Sequence, residues 1–249
     1  MAADRRLWFP LATPLADPRL RLFCFPYAGG GASIFHRWPQ ALPGGVEVCA
    51  AQLPGHETRI AEPPLSDLDA LIGEIAGAVD PLLDVPFALF GHSMGALIAF
   101  ELARRLRALG LRAPERLFVS ARIAPQTPDE SLQALRDGGD AALFAELERL
   151  DFTPKAVLDE PEMLELVLPI LRADFRLCSS YVYRPEPPLD VPIVAFAGTH
   201  DRDAGAKKMR EWEQQTSAGF AMRVIDGDHF FVTRRRETLL AELSRDLLK

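Results

Sequence analysis

The chain has 249 residues, which by length allows one large domain or two small ones; 48% of them are hydrophobic, enough to fill a sizeable core, and 25% charged, an ordinary value for a soluble protein. Its formal net charge of −7 argues against general affinity for nucleic acid or an anionic membrane surface.

In chain order, "LRLFCFPY" (20–27) predicts a buried strand and "VEVCAAQL" (46–53) a second. In "SDLDALIGEIAGAVDPLL", Leu68, Leu71, Ile72, Ile75 and Val79 form a helical stripe, with Ser66 and Asp69 spaced as a capping box. "VPFALFG" (85–91) predicts a third strand, running into "SMGALIAFELARRLRALG", a helix closed by Gly110. "ERLFVSA" (115–121) is a fourth strand. From about 122 to 180 only helical patterns occur, such as "DAALFAELERL". Beyond the Pro-rich joint "RPEPPLD", strand "VPIVAFAG" (191–198), helix "AKKMREWEQQ", strand "AMRVIDG" (221–227) and helix "RRRETLLAELSRDLLK" follow.

Strands alternating with helices mean β-α-β units in a doubly wound, mostly parallel sheet. Roughly 60 helical residues inside such a sheet exceed a plain connection. They predict a helical lid, about 122–185, over the C-terminal ends of the strands, where open α/β sheets bind ligands. The remaining core is about 18–121 and 190–249, all within one domain, 1–249.

Cys24, Cys49 and Cys178 are far apart and form no C-x-x-C pair, which fits a reducing cytoplasm better than a disulfide scaffold or a zinc site. His36, His56, His92, His200 and His229 show no helical metal-ligand spacing. Pro10, Pro14 and Asp17 interrupt the mildly apolar N-terminal stretch, so no signal peptide is expected. No apolar run approaches the roughly 20 residues of a membrane span.

"LFGHSMGAL" (89–97) contains Gly91-His92-Ser93-Met94-Gly95, a G-x-S-x-G pattern. It is a modest signal alone, but here it directly follows a buried strand and opens a helix, the setting in which such a serine projects above a sheet. A serine hydroxyl needs a base within hydrogen-bond reach and a third group to orient that base. In the chain order Ser, acid, His, only His200 and His229 lie downstream, and His229 in "IDGDHFF" comes last, which makes it the base. The acid then comes from "GTHDRDAG", as Asp201 or Asp203, and His200 is a bystander. Asp203 is the natural cap of the following helix. His92 should point away from the nucleophile and support the loop, while His56 is placed to line the entrance to the site. One oxyanion donor is the Met94 amide; the second belongs to the loop "FPYAGGGAS" (25–33), whose glycines permit close backbone approach and which lacks a phosphate-loop Gly-Lys-Ser/Thr.

Taken together, "LFCFPYAGGGASIFHRW", "QLPGHETR", "FGHSMGALIAFELARRL", "LPILRADFRL", "YVYRPEPPLDVPIVAFAGTHD" and "GDHFF" resemble the type II thioesterases, free-standing α/β-hydrolases of polyketide synthase and nonribosomal peptide synthetase pathways. The resemblance runs from about residue 20 to 235. It implies an α/β-hydrolase fold and removal of acyl groups from the phosphopantetheine arm of carrier proteins. It also implies a catalytic Ser93, Asp201 and His229, with the acid on Asp201, and oxyanion amides from Ala28 and Met94. Two positions depart from the pattern: "GDHFF" stands for the usual "GGHFF" and "LPGHE" for "LPGRE". Asp228, if it faced the histidine, would favour the imidazolium.

No metal or bound cofactor is expected, since the pantetheine arm arrives on the substrate. The expected partner is an acyl or peptidyl carrier protein, met transiently by a cytoplasmic monomer. Such carriers are usually acidic, so a local basic patch would have to steer the encounter. The candidates are Arg104, Arg105 and Arg107, or Arg234, Arg235 and Arg236. The rival readings are an oxygen-ester hydrolase and a catalytically silent binding module of the same fold.

Overall fold

The structure, a computed structural model, describes residues 5–150 and 160–247. Residues 1–4, 151–159 and 248–249, which belong to the predicted N-terminal stretch, helical lid and last helix, lie outside the described residues.

Among the described residues six strands form one sheet: β1 (Leu20–Phe25), β2 (Val46–Ala50), β3 (Phe87–His92), β4 (Arg116–Ser120), β5 (Ile193–Gly198) and β6 (Phe220–Ile225). Their order is β2-β1-β3-β4-β5-β6 and every pairing is parallel. The strands read as near-continuous apolar runs because both faces of the sheet are covered. Alternate residues divide between two cores. Phe23, Leu89, Leu117 and Ala195 face one side, with α2 (Leu68–Val79) and α3 (Met94–Ala108). Leu22, Phe90, Phe118 and Phe196 face the other, with Leu239 and Leu243 of the last helix. Each half depends on the two-residue period of a strand, so one register slip would exchange them.

The other helices among the described residues are α1 (Arg5–Trp8), α4 (Glu130–Leu150), α5 (Pro161–Ser179), α6 (Ala206–Met209), α7 (Phe231–Arg234) and α8 (Arg236–Leu247). Three local expectations change. Asp67, not Ser66, caps α2, accepting from Ala70 N–H at 2.8 Å. The helix predicted over 206–215 is the single turn α6 followed by a 3₁₀ segment, Arg210–Gln215. The last helix begins at Arg236, after the separate turn α7. Gly110 ends α3 as expected: at φ 65° it lets Leu111 N–H return to Leu106 O and its own N–H to Arg107 O.

The chain leaves β1 for β2 at one edge and returns to β3 on β1's other side. This switch places the loops after β1 and β3 side by side at the strands' C-terminal ends, where open α/β sheets form their crevice. Between β4 and β5 the chain makes α4, broken at Gly139 with φ 59°, and α5. These two helices pack through Leu143, Leu147 and Leu171, with Leu135, Val167, Leu168 and Phe175 around them.

Candidate active site

Ser93 stands at the turn from β3 into α3 with φ 53° and ψ −114°, a conformation that costs a non-glycine residue about 1–3 kcal/mol. The surroundings hold it there. Ser93 N–H donates to Ser120 O at 2.8 Å and Ala96 N–H to Ser93 O at 3.0 Å. A Cβ on Gly91 would collide with the Gly95 backbone, and a Cβ on Gly95 with the carbonyl of Phe25. The two glycines of the pattern are therefore where α3 crosses tightly over β3 and β1. As the residue before the first turn of α3, Ser93 also lies where the helix dipole favours negative charge.

His229 follows β6 and Asp201 follows β5. Asp201 Oδ2 lies 2.9 Å from His229 Nδ1, and His229 Nε2 lies 3.1 Å from Ser93 Oγ. A carboxylate accepts, so Nδ1–H donates to it and Nε2 is left to accept from the Ser93 hydroxyl. Asp201 is buried. Burial alone would raise its pKa, but the His229 hydrogen bond and charge, with the Ala204 and Asp203 amides, more than offset that and hold it below the ordinary carboxylate value. Its Oδ1 accepts from both amides at 3.0 Å.

The sequence assigns Asp203 a capping role that the structure does not give it. Gly205 precedes α6 with no side-chain cap, and Asp203 instead pairs with Arg149 of α4 at 2.7 Å. The next helix begins too late for Asp203 to reach its amides, and the loop turns its carboxylate towards α4. Asp228 does not face His229 as a second acid: its carboxylate accepts from Phe230 N–H and pairs with Arg234. His200 is exposed beside Thr199, and His36 is also exposed.

His92 does more than fill space. It is fully buried, with Nε2 2.8 Å from the carbonyl of His229 and Nδ1 2.9 Å from Ser120 Oγ. The carbonyl only accepts, so Nε2 carries the proton and Nδ1 accepts from the serine. Burial and the neighbouring His229 push its pKa down to about 3, which keeps the ring neutral.

The loop after β1 makes a tight turn: Gly30 N–H returns to Tyr27 O at 2.9 Å, with Gly29 at φ 77°. "QLPGHETR" holds it from behind. Gln52 Oε1 accepts from Ala32 N–H, and Glu57 accepts from Ser33 N–H and Oγ. His56 is buried rather than at the entrance; its ring reaches Asp174 on α5, whose carboxylate also accepts from Gly29 N–H. Asp174, Gln52 and Glu57 escaped sequence reasoning. They sit inside quoted motifs, but no spacing rule links residues 29, 56 and 174.

Tyr27, Ala28, Ser93, Met94 and His229 line one cavity of about 70 Å³, to which Glu146, Leu147, Phe175 and Cys178 of α4 and α5 also contribute. Of the arginines considered for docking, Arg104 and Arg107 pair with Glu186. Arg234 and Arg235 pair with Asp228 and Asp226. No helix among the described residues is long and apolar enough to cross a membrane.

Residues 20–247 match the family model described as a thioesterase domain. The chain is 42% identical over 240 residues to the gramicidin S biosynthesis protein GrsT of Aneurinibacillus migulanus, covering 96% of this chain and 93% of that one. Among solved structures, RedJ, a thioesterase from the prodiginine pathway of Streptomyces coelicolor, superposes with a TM-score of 0.82 at 37% identity, covering 98% of this chain and all of that one. YbtT, a type II thioesterase of the yersiniabactin NRPS/PKS pathway, does so with 0.83 at 32% identity, covering 95% and 96%.

Proposed function

The chain belongs to the thioesterase family, and on that basis we propose that it hydrolyses acyl thioesters from the phosphopantetheine arm of acyl or peptidyl carrier proteins, removing stalled groups or releasing product. The observation that carries this reading is the hydrogen-bonded chain Ser93–His229–Asp201 at a cavity lined by Ala28 and Met94. GrsT, RedJ and YbtT, each named for a biosynthetic pathway, support the setting.

The mechanism follows from these positions. Ser93 Oγ attacks the thioester carbonyl while its proton passes to His229 Nε2. The Ala28 and Met94 amides stabilise the oxyanion, an interaction of the kind worth about 2.7–4 kcal/mol per donor. The C–S bond breaks, and the leaving pantetheine sulfur takes the proton from His229. Water then attacks the acyl-serine, giving its proton to His229, which returns it to Ser93 Oγ as the carboxylic acid departs. Asp201, kept ionised, holds the imidazole tautomer and stabilises the imidazolium. No resident cofactor or metal enters these steps. The helices α4 and α5 act as a lid that sets the acyl group admitted, and the partner is met transiently by a monomer in the cytoplasm.

A panel of carrier-bound acyl chains, from acetyl to long, tests the reading, with hydrolysis and transfer products separated. Thiol release by the native protein and none by Ser93→Ala is the expected result. Faster turnover of matched oxygen esters than of thioesters would overturn it.

A further inference from the structure

Three segments remote in sequence meet at one carboxylate. Asp174 Oδ2, on α5, accepts from Gly29 N–H at 2.7 Å and lies 2.9 Å from His56 Nε2. Both side chains of the His56–Asp174 pair are 3% exposed. The other ring nitrogen of His56 lies 3.0 Å from the carbonyl of Pro54. A carbonyl and a carboxylate both accept, so both nitrogens carry hydrogen and His56 is an imidazolium.

The consequence falls on the loop after β1. Gly30 N–H is committed to Tyr27 O and Gly29 N–H to Asp174, while Ala28 lines the cavity beside Ser93. The Ala28 N–H belongs to the Tyr27–Ala28 peptide, whose carbonyl is held by Gly30 N–H, and Asp174 holds the next peptide through Gly29 N–H; with the planes on both sides of Ala28 fixed, so is the direction in which residue 28 presents its own amide. A buried carboxylate bonded to the amide next to Ala28 would oppose negative charge developing there unless balanced, and His56 supplies the balance.

We propose that Asp174 is a positioning residue for the oxyanion loop, charge-balanced by His56, so that one carboxylate couples α5 of the helical insertion to the amide of Ala28. This rests on the reading of Ala28 as an oxyanion donor. Displacing α5 releases Gly29 and with it the donor geometry, which links the insertion's position to the chemical step rather than only to access.

The titration of His56 follows the same geometry. Burial lowers its pKa, but the Asp174 hydrogen bond and charge, with the Pro54 carbonyl and the charge of Glu57, more than offset that and raise it. The charged groups facing the ring are thus Asp174, from α5, and Glu57, next to it in the chain. For a raised histidine pKa, the contribution is complete below the ordinary imidazole range and is lost as pH rises through the raised value.

The test uses the full chain as wild type, Asp174→Asn, His56→Gln, His56→Arg and Ser93→Ala. It measures kcat and KM for a short acyl-pantetheine thioester from about pH 6 to about pH 9, bracketing the imidazole range, together with the amide resonance of Gly29. Asp174→Asn is expected to lower kcat at least about 10-fold, a fraction of the effect of deleting an oxyanion donor, with little change in KM, and to move the Gly29 resonance. His56→Gln is expected to show the lowered kcat without an alkaline step of its own, so that its deficit against wild type closes as pH rises through the His56 titration. In the wild type, kcat and the Gly29 resonance should follow one alkaline titration, which His56→Arg removes from both. A merely structural pair would lower stability without that shared titration. Wild-type kcat in Asp174→Asn, or a Gly29 resonance unmoved by pH and by Asp174→Asn, overturns the proposal. If Asp174→Asn does not fold, the titration of wild type against His56→Arg decides. Turnover retained by Ser93→Ala would instead remove the nucleophile reading, and the Gly29 resonance would still decide whether Asp174 holds the loop.

Discussion

Ser93, Asp201 and His229 stand on turns whose backbone is bonded into the sheet: Ser93 N–H to Ser120 O, Asp201 N–H to Gly198 O, and the His229 carbonyl to buried His92. Glu146, Leu147, Phe175 and Cys178 reach the same cavity from α4 and α5. Those helices pack on each other around Leu143 and Leu171 and are tied to the rest by side chains: Arg149 to Asp203, Asp174 to His56 and Gly29, and Leu177 and Cys178 of α5 in the main core. Backbone ladders packed inside a two-sided core open at close to the global unfolding free energy, whereas a partly exposed ion pair such as Arg149–Asp203, the tie of α4, opens cheaply. One half of the site is therefore built for fixed geometry and the other for adjustment. Substitutions in the first should change the rate of chemistry by orders of magnitude; those in the second should change it modestly and depend on pH, salt and acyl chain.

The comparison breaks most visibly at Ser93, the proposed nucleophile. Ser93→Ala should lower kcat by at least about 10⁴-fold, with circular dichroism and melting temperature near wild type, and turnover within tenfold of wild type would end the distinction. Asp201→Asn comes next, at about 10⁴-fold, because the amide no longer selects the tautomer that leaves Nε2 free to accept. Asp203→Asn, two residues on, should cost less than about 10-fold, since its partner is a surface arginine. The reverse ranking would move the acid across the loop. Acid titration sharpens the same point. The lowered pKa of Asp201 gives stability that is complete above the ordinary carboxylate range and lost as pH falls through the lowered value. The melting temperature of Asp201→Asn should therefore fall less on acidification than that of wild type.

His92→Phe tests how the fixed half is held. It keeps a ring in the buried site and leaves Ser120 Oγ and the His229 carbonyl without a partner there. Each lost partner costs about 1–3 kcal/mol, so melting temperature should fall and kcat drop by roughly 10- to 100-fold with KM little changed. Wild-type kcat in a destabilised His92→Phe would show that His92 supports the fold without positioning His229.

The same division explains what sequence reading reached. The strands, the elbow and the order serine, acid, histidine follow from short-range rules, namely period two, a glycine-flanked turn and a loop after each strand. The structure places Ser93, Asp201 and His229 in one hydrogen-bonded chain accordingly. What escaped is long-range and carried by side chains. Asp203 looked like a helix cap because its partner, Arg149, lies 54 residues away. His56 looked like an entrance residue because nothing in "LPGHETR" points to a carboxylate 118 positions downstream. The cap at Asp67 rather than Ser66 is a smaller miss of the same loop, a choice between neighbouring polar residues that local backbone geometry decides.

The smallest expected effect is the sharpest test of the adjustable half. Arg149 and Asp203 are 41% and 34% exposed, so their pair is screened by solvent and worth about 0–1 kcal/mol. Yet Asp203 N–H also donates to Asp201 Oδ1, so the pair ties α4 to the turn that presents the Asp201 carboxylate to His229. Arg149→Ala should thus lower kcat only a few-fold, the kinetic equivalent of that energy. The loss should shrink as salt screens the wild-type pair. A double-mutant cycle with Asp203→Asn isolates the link. If α4 acts on the chemistry through this pair, the double variant should be no slower than the slower single one at low salt. If the two losses multiply, α4 shapes the cavity through Glu146 and Leu147 alone, and adjustment of the insertion reaches acyl selection without reaching the triad.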